Sequence, residues 1–530
     1  MLAAVRSAAV IGIDAYDVTV EVDAAHGLPQ WMLVGLPAGS VKESRERVSA
    51  ALANSGFVLP PRRITVNLAP ADVRKDGTAF DLPIALGVLI ATGQLAAPAV
   101  AGIVAVGELG LDGSIRSVRG SLPVARRAAR VPGTTLVVPP SNVAEAALVS
   151  SLRLAAPASL GELIAGLRRG VLDAPCPRPS LECTDREAID FSDVIGQEGA
   201  KRALEIAAAG SHAALLIGPP GAGKTMLARR MPTILPALSE EERLEVIAIH
   251  SVAGLLAPSA PLPSSRPFRA PHHTLSAAAL VGGGSTPRPG EASLAHHGVL
   301  FLDELQEIPR HVLDALRQPL EDGSVVISRA SSAVSFPSRF TLIGAMNPCP
   351  CGRAGDPRGG CVCTASEIVR HRGRLSGPMA DRIDMHVQLA AVPLRDLGSR
   401  TAGESSAEIR MRVERARTAQ TRRFAGHTRI RCNAHAPGRW LDTHTPIDGS
   451  ARDLLASAAE RCALSARGYH RVIRVARTIA DLDGEEGVEW PHVAEALRYR
   501  PRGGESVEDA SVRDAGFVVA PALVANATGA

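Results

Sequence analysis

The run Gly218-Pro219-Pro220-Gly221-Ala222-Gly223-Lys224-Thr225 fits the pattern G-x-x-x-x-G-K-[ST] at every fixed position. Glycines at those places let backbone N–H groups wrap phosphate oxygens, and a helix opening at the lysine adds the positive end of its dipole. Lys224 is placed to reach the β- and γ-phosphates of a nucleotide, and the Thr225 hydroxyl to ligate Mg²⁺. Further on, Val299-Leu300-Phe301-Leu302 is an unbroken apolar run ending in Asp303-Glu304. A parallel strand buried on both faces reads this way, and α/β sheets hold their ligands at the carboxyl ends of such strands. Asp303 would then hold the Mg²⁺ shell, and Glu304 would orient or deprotonate an attacking water. The chemistry these residues can perform together is hydrolysis of a nucleoside triphosphate, with ATP and Mg²⁺ as the implied ligands.

The flanking elements suit that chemistry. Ala213 to Ile217 is a short apolar run, and Met226 to Arg230 begins a helical pattern, so strand, glycine turn and helix follow in order. Phe340 to Met346 reads as a second buried strand ending at Asn347. Asn347 could position the hydrolytic water or simply serve a turn before Pro348. Ile308 to Glu321 reads as one helix, and residues 323–337 as a hairpin. More chain separates the phosphate loop from Asp303 than one helix and one strand need, so insertions are expected. They carry Arg269-Ala270-Pro271-His272-His273-Thr274 and Val281-Gly282-Gly283-Gly284. The pairs His272/His273 and His296/His297 are of metal-ligand type. Adjacent histidines do not easily share one ion, so polar contacts near nucleotide or DNA are the better expectation.

The chain has 530 residues, 46% of them apolar and 21% charged, a globular composition long enough for several domains. No apolar run is long enough to cross a bilayer and no secretory start is present, so a cytoplasmic protein with no membrane partner is expected. The net charge of +4 comes almost wholly from arginine; only Lys42, Lys75, Lys201 and Lys224 are lysines. Arginine abundance that accompanies so much alanine is weak evidence for nucleic acid. The pattern divides into an α/β unit at 1–168, a proline-rich linker at 169–190, the ATPase part at 191–395, an arginine-rich helical part at 396–505 and a loose tail at 506–530. Cys349, Cys351, Cys361 and Cys363 form two C-x-C pairs on a Pro/Gly-rich stretch. Four thiolates there could hold structural zinc, with free thiols the alternative. Cys176 and Cys183 flank the linker as a lesser pair, and disulfides are not expected in a reducing compartment.

The order GPPGAGKT, VLFLDE, the strand to Asn347 and then Leu375-Ser376-Gly377-Pro378-Met379-Ala380-Asp381-Arg382-Ile383-Asp384 resembles an AAA+ ATPase of the magnesium-chelatase-like group. With FRAPHHT at 268–274, NPCPCG at 347–352 and LSARGYHRVIRVARTIADL at 464–482, the chain resembles the ComM/YifB family from about residue 5 to 502. The resemblance implies an α/β AAA+ fold with a parallel sheet and a C-terminal helical lid. It implies that Arg382 is an arginine finger reaching a neighbour's nucleotide in a ring, a hexamer by the resemblance; a surface pair with Asp381 or Asp384 is the alternative. Arg467 resembles the lid's sensor arginine, unless it, Arg471 and Arg474 merely form a basic face. The 323–337 hairpin resembles one that related motors point into a central channel. Arg329 near its tip and Arg269 in the insert are then candidate contacts to DNA phosphates. The run Arg410, Arg412, Arg415, Arg417, Arg422, Arg423, Arg429, Arg431 is a third candidate, or a solvated helical face.

By the same likeness the activity would be a ring-forming, ATP-driven motor on single-stranded or branched DNA. It would act in branch migration or unwinding during recombination and natural transformation. The alternative is a chelatase-like or protein-remodelling ATPase that does not act on DNA. In the first unit, Arg74 to Asp81 resembles the segment around the catalytic serine of Lon-type proteases, and Gly107 to Ile115 the strand pair that follows. Ala79 stands in the nucleophile's place, and no lysine occurs between Lys75 and Lys201. A Ser–Lys dyad needs both groups, so a Lon-like fold without proteolysis is expected.

Overall fold

The computed structural model describes residues 2–73, 75–172, 189–256, 261–284, 287–329, 332–355, 359–391, 403–427, 430–461 and 464–500. Arg74, most of the linker with Cys176 and Cys183, Arg429, Cys462 and the tail lie outside the described residues.

Residues 2–172 build a seven-stranded mixed sheet, ordered Gln30–Val34, Arg63–Ala69, Asp14–Ala25, Leu2–Ile11, Ile103–Ala105, Thr135–Val137, Arg153–Ala155. Its longest strand alternates as period-two chemistry demands: Val18, Val20, Val22 and Ala24 face the core, while the residues between them are half-exposed. The helix Asp81–Ala91 is buried along its whole length against this sheet. Gly87 makes that approach possible, because a Cβ there would lie 2.5 Å from Val22 Cγ2.

The ATPase part is a five-stranded parallel sheet in the order Phe268–Arg269, Val299–Leu302, Thr341–Met346, Ala214–Ile217, Met385–Gln388. Helices Glu198–Gly210 and Lys224–Ile234 pack into the core on one side of it. The single helix expected over Ile308 to Glu321 is instead a 3₁₀ turn, Leu305–Glu307, and two short helices, Arg310–Asp314 and Arg317–Asp322. Pro319 explains the break: it has no N–H to offer the carbonyl of Ala315, and its ring crowds that position. The hairpin Ser324–Arg329 with Ser332–Pro337 follows, with Val325, Val334 and Phe336 buried.

Helices Ser406–Arg423, Gly438–His444, Gly449–Arg461, Ala466–Asp483 and Trp490–Arg498 form the C-terminal part. It shares one apolar core with the ATPase sheet, in which Leu216 and Ala207 join Val413, Ile473 and Ile479. A buried polar network seals the join. His212 bonds Asp384 at 3.2 Å and Thr478 at 2.8 Å, Asn433 donates to Thr478 at 3.0 Å and Asp481 at 2.8 Å, and Arg477 donates to Asp481 at 2.8 Å. The N-terminal unit docks through Leu122 against Ile247 and Ala248. Its turn at Gly12 also lies against Ser335 of the hairpin, close enough that a Cβ would sit 3.0 Å from the Ser335 carbonyl oxygen. Among the described residues no helix is long and apolar enough to cross a membrane.

Candidate active site

The strand Ala214–Ile217 ends at Gly218, and the chain turns through Gly221 and Gly223, both at positive φ (78° and 87°), into the helix that starts at Lys224. Gly223 offers no side chain to cap that helix, so its first-turn N–H groups face outward for an anion. Lys224 is almost wholly buried, and its Nζ donates to the carbonyls of Gly218 (2.7 Å) and Pro219 (3.1 Å) and to Asn347 Oδ1 (2.9 Å). Burial lowers its pKa, and the charges of Asp303 and Glu304 pull it back. Thr225 Oγ1 donates to Asp303 Oδ2 at 2.7 Å, so the two expected Mg²⁺ ligands are in contact. The donor set fits: uncapped N–H groups and an ammonium for phosphates, a hydroxyl and a carboxylate for Mg²⁺. The cation, when bound, would draw charge from the phosphate oxygens.

Asp303 Oδ1 accepts the Glu304 N–H at 2.9 Å, and Glu304 takes a left-handed conformation (φ 47°) that turns its side chain off the strand end, half-exposed. There its carboxylate meets His273 Nδ1 at 3.0 Å. The sequence marks His273 only as half of a histidine pair; nothing in the linear pattern points it to Glu304. Asn347, at the end of the neighbouring strand, touches Lys224, and its carbonyl lies 3.1 Å from His371 Nε2. The structure therefore gathers Gly218 to Thr225, Asp303, Glu304 and Asn347 at one end of the sheet.

Arg382 and Arg467 lie elsewhere. The N–H of Asp384 bonds the carbonyl of Ala213, before the first residue of the phosphate-loop strand. That places Arg382 at the opposite end of the sheet from its own nucleotide site, a strand of four residues away, about 13 Å at the usual rise. Its guanidinium donates to the Pro378 carbonyl at 2.7 Å and pairs with Glu321, rather than with Asp381 or Asp384. Arg467 is exposed on the first turn of Ala466–Asp483. One turn on, Arg471 stands 3.9 Å from Asp384, so Arg467 is on the Arg382 side of the sheet. The basic-face alternative fails for its neighbours: Arg471 is buried, and Arg474 donates to the Ala436 carbonyl at 2.8 Å.

The candidate DNA contacts divide likewise. Arg269 forms a two-point pair with Glu291, at 2.6 and 2.8 Å, which ties the insert to itself. Arg329 ends the outgoing strand of the hairpin, paired in register with Ser332. In the long helix, Arg410, Arg415 and Arg422 are exposed. Arg412 instead binds Glu205 and Glu404, Arg417 the Ala208 carbonyl, and Arg423 Asp481. Three of the seven described arginines of that run are therefore structural.

The four cysteines Cys349, Cys351, Cys361 and Cys363 converge, all Sγ atoms lying within 4.8 Å of one another. The Cys351 N–H reaches Cys363 Sγ at 3.4 Å and the Ala354 N–H reaches Cys349 Sγ at 3.2 Å. Backbone N–H groups of Arg353 and Val362 hold the Cys351 thiol down to about 6. This set could hold tetrahedral zinc. Gly352 lets the knuckle rest on the phosphate loop, since a Cβ there would lie 2.6 Å from Pro220 Cδ.

His296 and His297 correct an expectation. They do converge, both bonding Glu245 Oε2 through Nε2 (3.0 and 2.7 Å), because His297 is in the left-handed region (φ 58°). With Glu245 they form a set of metal-ligand type, the three ligand atoms lying within 4.8 Å of one another. His296 Nδ1 accepts the Arg339 N–H at 2.9 Å, so a neutral ring must carry its proton on Nε2, where it donates to Glu245. Burial pushes His296 down to about 4, which keeps that ring neutral.

A parallel sheet that presents a phosphate loop, an Asp-Glu strand end and an adjacent asparagine defines a P-loop ATPase of the AAA+ class. Family models agree in detail. "Magnesium chelatase, subunit ChlI" matches residues 190–397, "Subunit ChlI of Mg-chelatase" residues 20–142, and "Magnesium chelatase, subunit ChlI C-terminal" residues 403–500. The chain is 44% identical over 508 residues to the competence protein ComM of Haemophilus influenzae, covering 94% of this chain and 97% of that one. It is 41% identical over 506 residues to YifB of Escherichia coli K12, covering 94% and 97%. The magnesium-chelatase 38 kDa subunit of Rhodobacter capsulatus is more distant, 29% identical over 182 residues, covering 31% and 51%. The chain belongs to the ComM/YifB family of magnesium-chelatase-like AAA+ ATPases.

Proposed function

We propose that this protein is a ring-forming, ATP-driven motor on branched or single-stranded DNA, acting in branch migration during recombination and DNA uptake. The observation that carries the DNA reading is near-full-length similarity to a protein named for competence. In this reading Lys224 and the loop N–H groups hold the triphosphate, Thr225 and Asp303 position Mg²⁺, and Glu304 prepares the water while Asn347 orients it. Arg382 completes the site of the next subunit, stabilising charge on the γ-phosphate. Its position at the far end of its own sheet supports action in trans. The hairpin ending at Arg329 would face the strand in the channel; Arg269 could join it only by exchanging Glu291 for a phosphate. Zinc on the four cysteines would brace the phosphate loop from outside. The N-terminal unit, with Ala79 in the nucleophile's place, would brace the hairpin through Gly12 and cleave no peptide.

The test is migration of a labelled four-way junction by the wild-type chain, with Glu304→Gln as the blank. Movement that needs ATP and is lost in the variant supports the reading; hydrolysis without junction movement or DNA unwinding removes it. In the ring, mixing Lys224→Ala and Arg382→Ala chains should restore part of the ATPase activity that each lacks alone. The second reading, a chelatase-like or protein-remodelling ATPase, is favoured by the three ChlI family matches. It predicts hydrolysis indifferent to DNA.

A further inference from the structure

At the end of the sheet opposite the nucleotide site, a cavity of about 440 Å³ opens between the ATPase body and the helical part. Ser211, Gly298 and Thr341, which stand at the starts of three parallel strands, line one side; the C-terminal helices supply the other. Arg266, Arg339, Arg417 and Arg431 line it, and among the described residues Glu242 is the one carboxylate in its lining.

Partners account for two of the four. Arg266 donates to the His297 carbonyl at 2.7 Å and to Glu242 at 3.0 Å. Arg417 donates to the Ala208 carbonyl at 2.7 Å, Ser211 at 2.8 Å and Cys432 Sγ at 2.5 Å. Burial raises the Cys432 thiol, and the neighbouring charges of Arg417 and His435 lower it by more. Arg431 reaches only Glu242, at 3.9 Å, a carboxylate already bonded to Arg266. Among the described residues no carboxylate stands within ion-pair distance of Arg339. Its charged form is disfavoured by burial and then by Arg431, with Glu245 and Cys432 acting in the opposite sense from beyond ion-pair distance. Two arginines, one from the body and one from the helical part, thus repel across a space of small-ligand size.

We propose that this cavity is a second anion site, which takes a small phosphorylated molecule whose phosphate bridges Arg339 and Arg431. Arginine forks match phosphate oxygens. A phosphate monoester, carrying close to two negative charges, would neutralise both side chains, where a carboxylate would neutralise one. A ligand held by both walls binds only when they are docked, so it would stabilise the closed arrangement by mass action. The site is distinct from the hydrolytic one and stands whether or not the motor acts on DNA.

The probe is pyrophosphate, titrated into the full chain carrying Lys224→Ala to weaken the nucleotide site, and read by thermal unfolding and ³¹P line width. The expected result is a saturable rise in Tm, with affinity falling at least about tenfold when Arg339→Gln and Arg431→Gln are added. The ligand-free Tm of that variant should be equal or higher, because a repulsion is gone. Arg339→Lys keeps the charge and loses the fork; it should bind weakly while folding normally, which guards against a misfolded double variant. A 5′-phosphorylated dinucleotide that binds more tightly than pyrophosphate, and weakens in the same variants, would support the site and assign its phosphate to a strand end. Pyrophosphate binding that survives both substitutions, or no binding at all, overturns the proposal.

Discussion

Two buried lysines invite comparison: Lys224, the first residue of its helix in the ATPase part, and Lys75, which bridges Pro37 shortly before the buried helix Asp81–Ala91 of the N-terminal unit. Around Lys224 the polar groups converge on an open sheet end: two loop carbonyls, Asn347, and beyond them Thr225, Asp303 and Glu304. Around Lys75 they do not. Its Nζ is fully buried with no hydrogen-bond partner among the described residues. The neighbouring polar side chains serve structure: Arg47 pairs with Asp81 at 2.6 and 3.1 Å, and Thr78 bonds Glu108. A buried lysine is therefore not chemistry in itself. The groups that face it, and whether they leave room for a substrate, decide.

The largest effect expected from that contrast is at Glu304. Glu304→Gln should slow ATP turnover by about 10²–10⁴-fold, the usual worth of a general base, with nucleotide binding retained. Unchanged turnover would move the water-activating role elsewhere. Next comes the seal between sheet and helical part. Asp481→Ala leaves Arg477, 1% exposed, without its ion-pair partner and should cost about 3–5 kcal/mol in urea unfolding. A cost below about 1 kcal/mol would mean the network is not integral to the fold. On the other side of the comparison, Lys75→Met removes a buried amine with no partner and should leave stability unchanged or raise it by about 1–3 kcal/mol. A clear loss would show that Lys75 has a partner and a role.

His273→Ala frees Glu304 from a half-exposed contact worth about 1 kcal/mol at most. Basal turnover should shift upward, by no more than about fivefold. A hundredfold fall would make His273 part of the machinery itself. The smallest effect is in the pH profile of stability. Burial first, then Arg500 and Arg471, push His386 down to about 4. The unfolded chain therefore takes up its proton first as pH falls from about 6.5. Stability should decline from there toward pH 4, by at most about 1.4 kcal/mol per unit for this proton. His386→Asn should flatten that slope.

The phosphate loop and the Asp303–Glu304 strand end were legible in the sequence because backbone geometry dictates their residues. Only glycine adopts those turns freely, and only a doubly buried strand is apolar throughout. The helix break before Pro319 is equally local, but the apolar periodicity of Ile308 to Glu321 runs through it and masks it. Other features depend on partners far along the chain. Spacing puts Arg471 and Arg474 on a common face but does not tell which side meets water, and the sheet covers it. His296 and His297 converge only because one residue is left-handed. The cavity between Arg339 and Arg431 joins strand starts to helices from another part of the chain, which no window of sequence spans.

The most direct measurement is the ATP hydrolysis rate with no DNA, single strands, duplex and a four-way junction, with Lys224→Ala as the blank. The account predicts strong stimulation by junction or single strand. Robust hydrolysis that ignores every DNA would contradict it and leave the chelatase-like reading in its place.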